Sequence, residues 1–381
     1  MKRWPVKPLR EIAECLDGRR VPITAEVRTK GDVPYYGANG QVGWIDKPIF
    51  NEPLLLIAED GGHFDQPEKG VAYMISGPSW VNNHAHVIRS DASKVRLEFL
   101  GHYFRHFNFM PFVTGTTRAK LNQKVLMSVP IPVPPLAEQE RIVKLLDEAD
   151  ELRKLRAQAD RRSAALIPAL FHEMFGDPIE NHRRLSVKEL GSICKVLGGG
   201  TPSKKQPAYW VGDIPWVSPK DMSTDEIHDS EDHISERAIN ESTTNLIPVG
   251  SILVVTRSGI LKHTLPVATN SVPVTINQDI KAFVPSDECE VTFLVAQLRF
   301  LSAMILKWVR VGATVQNIET EALRRLPVLI PPLPLQQEFA QRVSEIRALQ
   351  AAQAASRQRT EHLFQSMLHR AFNQTLVREG A

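Results

Sequence analysis

The sequence predicts a mixed α/β (α+β) protein: two similar globular modules joined by two long helices that pair as an antiparallel coiled coil with pseudo-two-fold symmetry. Three observations predict it. The chain repeats itself, each copy carries short β-branched runs bounded by Gly and Pro, and each copy ends in a stretch of purely helical spacing. Adding 197 to the numbering carries Gly115 onto Gly312, Thr117 onto Thr314, Pro130 onto Pro327, and Pro134-Pro135-Leu136 onto Pro331-Pro332-Leu333. The same shift carries Gln139 onto Gln336, Leu152 onto Leu349 and Phe175 onto Phe372, with no gap. Upstream the lengths differ. LREIAECLDG (9–18) faces LGSICKVLGG (190–199) at a shift of 181, which also aligns Asp32-Val33-Pro34-Tyr35 with Asp213-Ile214-Pro215-Trp216. LLLIAEDGG (54–62) faces ILVVTRSGI (252–260) at a shift of 198, so the second copy is about 17 residues longer in between. The expected order is module 1–133, helical spacer 134–178, module 179–330, helical spacer 331–376 and a short tail, 377–381.

Within the modules, Leu54–Ala58, Ile252–Thr256 and Val272–Ile276 read as strands, being β-branched or apolar and flanked by turn residues. Residues 94–110 and 291–309 carry apolar side chains at helical spacing. Each module should end in a helix, a loop and a strand, VPIPVPP or LPVLIPP. After each Pro-Pro-Leu, Ile142, Leu145, Ala149, Leu152, Leu166 and Leu170 follow a three–four spacing, and Phe339, Ile346, Leu349, Leu363 and Met367 form the matching stripe. About 38 residues at 1.5 Å rise make a rod on the order of 57 Å long. Pro168 should break the first rod near Ala164–Ala165, and Gly176-Asp177-Pro178 should stop it. Two matched rods are satisfied most simply by each other, with Arg156, Gln353 and Ser356 as polar interruptions of the seam. A two-fold relating two modules requires the rods to run antiparallel.

Hydrophobic residues make up 43% of the 381 and charged residues 23%, ordinary for a globular protein without membrane spans. No apolar run reaches the length of about 18 residues that crosses a bilayer, and the N-terminus lacks the apolar segment of a secretion signal. Cys15, Cys194 and Cys289 are odd in number and far apart, which suits free thiols in a reducing cytoplasm. The net charge is +3, with the most basic stretch in residues 1–133 and an acidic run near 225–236. Charge alone is a weak argument for nucleic acid.

The words and their order resemble the specificity subunits of type I restriction–modification enzymes, which carry two target recognition domains. PPLAEQERIVKLLDEADEL (134–152) is similar to the family's first conserved region. GGGTPSKKQPAYWVGDIPWVSPKDM (198–222) with VTRSGIL and VTINQDIKA resembles one type of target recognition domain. VPYYGANGQVGWID (33–46), LIAEDGGHF (56–64) and WVNNHAHVI (80–88) resemble another. One departure is PPLPLQQEF (331–339), where Leu335 stands in place of the family's usual Glu. The resemblance implies that each module reads one half of a bipartite, asymmetric duplex DNA site. It implies that the helices set the spacing and dock two modification subunits, and that restriction subunits join the full complex. S-adenosylmethionine would then belong to the modification subunit, and ATP and Mg to the restriction subunit, with no cofactor, metal or catalysis in this chain.

The residues themselves also argue against chemistry. The Asn/Asp-Pro-Pro-aromatic element of an adenine methyltransferase is missing, and GGGTPSKK (198–205) lacks the P-loop spacing. Asp279-Ile280-Lys281 is a lone nuclease-like match, and the pairs His84/His86 and His102/His106 lack a third metal ligand. For DNA contacts, polar loop residues are the candidates. In the first module these are Tyr35, Tyr36, Asn39, Gln41, Asn82, Asn83, His84, Arg118 and Lys120. In the second they are Thr201, Lys204, Lys205, Lys220, Arg257, Ser258, Lys262, Asn277, Gln278 and Gln316. Two other classes stay open on sequence alone: a coiled-coil scaffold binding protein or glycan, and a stand-alone nuclease or methyltransferase.

Overall fold

A computed structural model describes residues 4–24, 26–115, 118–311 and 315–372. The chain divides into two compact units, one formed by residues within 1–157 and 355–381, the other by 158–354. Each unit holds one module and one segment of each rod. Thr117, Gly312, Thr314 and the tail 377–381 lie outside the described residues.

Both modules have the same strand plan. In the first, Ala13–Cys15, Ala85–Ser90, Leu54–Ala58 and Ala72–Ile75 form an antiparallel sheet in that order. In the second, Cys194–Gly198, Ile280–Pro285, Ile252–Val255 and Val267–Asn270 do the same, with Glu226–Ile227 added in parallel at the edge. A second sheet in each module centres on one parallel pair: Tyr35 opposite Trp80, and Trp216 opposite Thr275. The central strands Leu54–Ala58 and Ile252–Val255 are buried along their whole length, which is why they read as unbroken apolar runs. The extra residues of the second copy supply the strand Glu226–Ile227 and the helix Glu236–Glu241, capped by Ser235, while His233–Ile234 takes the place that Gly40–Ile45 holds in the first module.

The expected module helices are Leu97–Arg105, and Val291–Phe300 followed by Ser302–Ile305. Among the described residues no single helix is long and apolar enough to cross a membrane; the bent pair beginning at Val291 is the one candidate there, and Leu294, Val295, Leu298, Leu301 and Ile305 bury it in its own module's core. The chain entering each module pairs with the strand leaving it, Val6–Pro8 with Pro130–Pro132 and Val187–Glu189 with Pro327–Leu329. The repeated glutamine then fixes the rod to its module. Gln139 accepts from Arg96 N and donates to the carbonyls of Lys94 and Pro134; Gln336 accepts from Glu290 N and donates to those of Glu288 and Pro331. Both glutamines are fully buried, and each satisfies backbone groups where a module helix begins, Leu97–Arg105 or Val291–Phe300.

The first rod is a helix over Leu136–Ala164 and another over Leu166–Phe175, broken where Pro168 removes a donor. Gly176 ends it in the left-handed region, at φ 77°, with its N–H on the carbonyl of His172. The second rod is one helix, Leu333–Phe372. In the first unit Ile142, Leu146 and Ala149 pack with Phe364, Leu368 and Ala371, and Arg153 bonds Glu361 at 2.9 Å. In the second unit Phe171 and Phe175 pack with Phe339 and Val343, and Gln350 donates to the carbonyl of Ser163. In each unit one partner rises in number as the other falls, so the segments run antiparallel.

The seam is not the predicted leucine stripe. Leu152, Leu166, Leu349 and Leu363 are between 41% and 60% exposed, and Leu145 yields the buried place to Leu146. From Ile142 the inward positions continue through Leu146, Ala149, Arg153, Arg156 and Ser163, a 3.5-residue spacing that selects polar residues mid-rod and leaves the leucines outside. Ile346, Met367 and Leu170 are half-buried. The Gln353 Oε1, buried without a partner, marks the polar stretch of the second unit.

Candidate nucleic-acid interface

In the first module the polar candidates gather where the strand Leu54–Ala58 ends. Asn39 donates to the carbonyl of Gly61 at 3.0 Å, tying the hairpin tip to that strand exit. Asp60 there receives Arg118 Nη2 at 2.7 Å and faces His84 Nδ1 at 2.7 Å. Lys120 lies 3.2 Å from Glu59. Asn83 and Gln41 are exposed, and Tyr36 is half-buried beside Tyr73.

Two candidates of this module are corrected. Tyr35 is buried, donates its hydroxyl to the carbonyl of Ile23, and carries Arg28 over its ring at 3.7 Å, so it cannot stack on a base. Asn82 is buried and accepts from the backbone N–H of His84, which makes it a builder of the turn.

The second module places its candidates at the equivalent strand exit. Arg257 Nε donates to Asp279 Oδ1 at 2.6 Å, Thr201 donates to Gln278 Oε1 at 2.6 Å, and the Ser258 N–H donates to the carbonyl of Gln316. Lys205 and Lys262 are exposed, and Lys204 reaches over Trp210 at 5.8 Å. The glycines of GGGTPSKK serve packing: a Cβ on Gly199 would stand 1.9 Å from the carbonyl oxygen of Ile276, so only glycine lets this loop lie on the 276–279 turn.

Asn277 repeats the correction made for Asn82, being buried and accepting from Asp279 N. Lys220 is exposed and ion-paired, 2.9 Å from both Glu231 and Asp232, and the hydrogen bonds to those carboxylates raise its pKa. Lys281, named in the sequence only as part of a nuclease-like match, is partly buried beside Gln278, and that burial lowers its ammonium pKa. Asp60 and Asp279 are not among the DNA candidates of the sequence, because an acidic residue carries no signal for DNA unless its cation partner is known.

Among the described residues one group has metal-ligand composition: Cys15, Asp17 and His86, with donor atoms within 4.8 Å of one another. Its atoms are committed to each other. His86 is buried, with Nδ1 2.6 Å from Asp17 and Nε2 2.8 Å from the carbonyl of Leu121, and Arg20 lies 3.3 Å from Asp17. Burial raises the Asp17 carboxyl, but the His86 hydrogen bond, with Val87 N–H and Arg20, outweighs it and holds the group below its ordinary value. Burial pushes the Cys15 thiol up to about 12. His102 bonds Asp147 at 2.8 Å, and His106 packs its ring against Phe364.

A family profile described as the type I restriction modification DNA specificity domain matches residues 1–160 and again 184–358. The chain is 35% identical over 223 residues to the EcoR124I/EcoR124II type I restriction enzyme specificity subunit of Escherichia coli, covering 56% of this chain and 54% of that one. It thus spans about half the length of that relative. It is 28% identical over 350 residues to a putative type I restriction enzyme specificity subunit of Haemophilus influenzae, covering 90% and 87%. Two solved structures share the fold. A chain from a type I R-M system assembly matches with TM-score 0.65 at 18% identity over 99% of both chains. The type I restriction–modification S subunit from M. genitalium matches with 0.60 at 14% identity, over 97% of this chain and 96% of that one.

Proposed function

This chain belongs to the type I restriction–modification DNA specificity family, and from that premise we propose that its two modules read the two halves of one asymmetric, bipartite duplex site. The observation that carries the reading is the shared plan with different tips. One strand arrangement occurs twice, and at the same strand exit it presents Asn83, His84 and Asp60 in one module and Gln278, Asp279 and Arg257 in the other. A common scaffold with unlike polar side chains at equivalent places suits two unlike half-sites.

The chain supplies recognition and leaves chemistry to its partners. Two modification subunits bring S-adenosylmethionine and methylate adenine; restriction subunits bring ATP and Mg and cut. Leu152 and Leu155 in one unit and Leu349 in the other, each at least half exposed on a rod, are the surface offered to the modification subunits. No membrane takes part. Binding of the full chain to duplex DNA should weaken steeply as salt rises, because phosphate contacts release counterions. Affinity for duplex DNA that is absent, or indifferent to salt, would instead favour a scaffold that binds protein or glycan.

A further inference from the structure

Equivalent places in the two modules carry a carboxylate bound to a nitrogen side chain, with the order of the two reversed. Beyond the strand Leu54–Ala58 stands Asp60; beyond Ile252–Val255 stands Arg257, its equivalent at the shift of 197 that the strand ladders set, one residue off the 198 expected from the sequence. Each forms a lone backbone bridge to a later short strand, Asp60 to Lys120 and Arg257 to Asn317. On the neighbouring strand the buried Asn82 and Asn277 each accept from the N–H two residues on, at 2.8 and 3.0 Å. These turns deliver His84 to within 2.7 Å of Asp60, and Asp279 to within 2.6 Å of Arg257. The residue between, Asn83 or Gln278, stays exposed at the tip.

We propose that Asp60 and Asp279 are positioning residues for sequence reading: each carboxylate holds a basic side chain, His84 and Arg118 in one module and Arg257 in the other, in one pose near the exposed amide, and the reversed order directs the two modules to different bases. The inference rests on the DNA-reading function proposed above. A guanidinium free in solvent gains most from phosphates, which carry no sequence. Held by a carboxylate, it has less net charge to spend on phosphate and its side-chain freedom is already lost. It also keeps its planar fork at a fixed angle for guanine. Arg257 meets Asp279 through Nε, which leaves its terminal nitrogens for a base edge.

The test is selection of duplexes from a randomised pool by the full chain, comparing wild type, Asp279→Asn and Asp279→Glu. With Asp279→Asn, base discrimination in one half-site should fall on the order of tenfold, while the other half is read as before. Affinity for non-specific DNA should hold or rise, since a negative charge is lost, and Asp279→Glu should restore discrimination. Equal weakening of both halves would mean a merely structural carboxylate and would overturn the proposal. So would an unchanged motif. Failure of the wild type to enrich any motif would overturn the DNA-reading function itself, a result distinguishable from either.

Discussion

Arg257 is half exposed yet already paired, a state that separates base reading from phosphate binding. Arg257→Ala should cost roughly 1–3 kcal/mol of discrimination in one half-site only, measured by competition between matched and mismatched duplexes. An equal loss on every sequence would make Arg257 a phosphate contact. His106 offers a test by pH. Burial at the end of the helix Leu97–Arg105, beside Phe364, with Arg105 adding to it, pushes its imidazole down from 6.5 to about 4. The unfolded chain therefore binds the extra proton first, so stability is complete above about pH 6.5 and falls as pH drops towards 4. His106→Leu should flatten that part of the stability–pH curve, and an unchanged slope in urea melts between pH 4 and 6.5 would contradict it. At this scale residue types were legible in the sequence and environments were not. Tyr35 alternates with Val33 and Gly37 on the buried face of its strand, a period-two signal that its neighbour Tyr36 masks. The carboxylate of Asp60 gains its role from partners 24 and 58 residues away in sequence, and that of Asp279 from one 22 residues away.

The rods were legible as elements and misread as a surface. Their limits, the break at Ala165 and the glycine stop all follow from Pro-Pro-Leu, Pro168 and Gly176. The seam does not follow from the leucines, because modules bury the rod ends and polar residues occupy the inward positions between. Leu152→Glu and Leu349→Glu, which an apolar seam would not tolerate, should therefore change stability by no more than about 0.5 kcal/mol. Phe171→Ala should cost roughly 3–5 kcal/mol, since the ring is buried among Phe175, Phe293 and Phe339. Thermal melts of the three variants check this, and a strong loss in either Glu variant would restore the leucine seam. Gln139→Leu tests the attachment of rod to module. It leaves Arg96 N–H and the carbonyls of Lys94 and Pro134 without their partner, at a cost of roughly 1–3 kcal/mol. A neutral result in denaturant titration would show that the repeated glutamine does not fix the rod.

The repeat makes the whole molecule a variant of itself, and that has a consequence for its first half. Residues 1–182 lack Phe364, Leu368 and Ala371, which complete the core of the first unit. At the shift of 197 their counterparts are Ile167, Phe171 and Met174, so a second copy of the fragment can supply the missing contacts. The fragment should form a dimer and, with a modification subunit, methylate a palindromic version of one half-site. A monomer at micromolar concentration would contradict this. The repeat and the two-module plan were legible because proline, glycine and glutamine recur at fixed intervals. The recognised bases were not, since they depend on loop geometry that composition does not encode. The most direct measurement is methylome sequencing of a host expressing this chain with its modification partner. Methylated adenines should fall in a bipartite, asymmetric motif whose halves lie about one helical turn apart, roughly 34 Å, around an unread spacer. A continuous motif, or none dependent on this chain, would contradict division of the site between two modules.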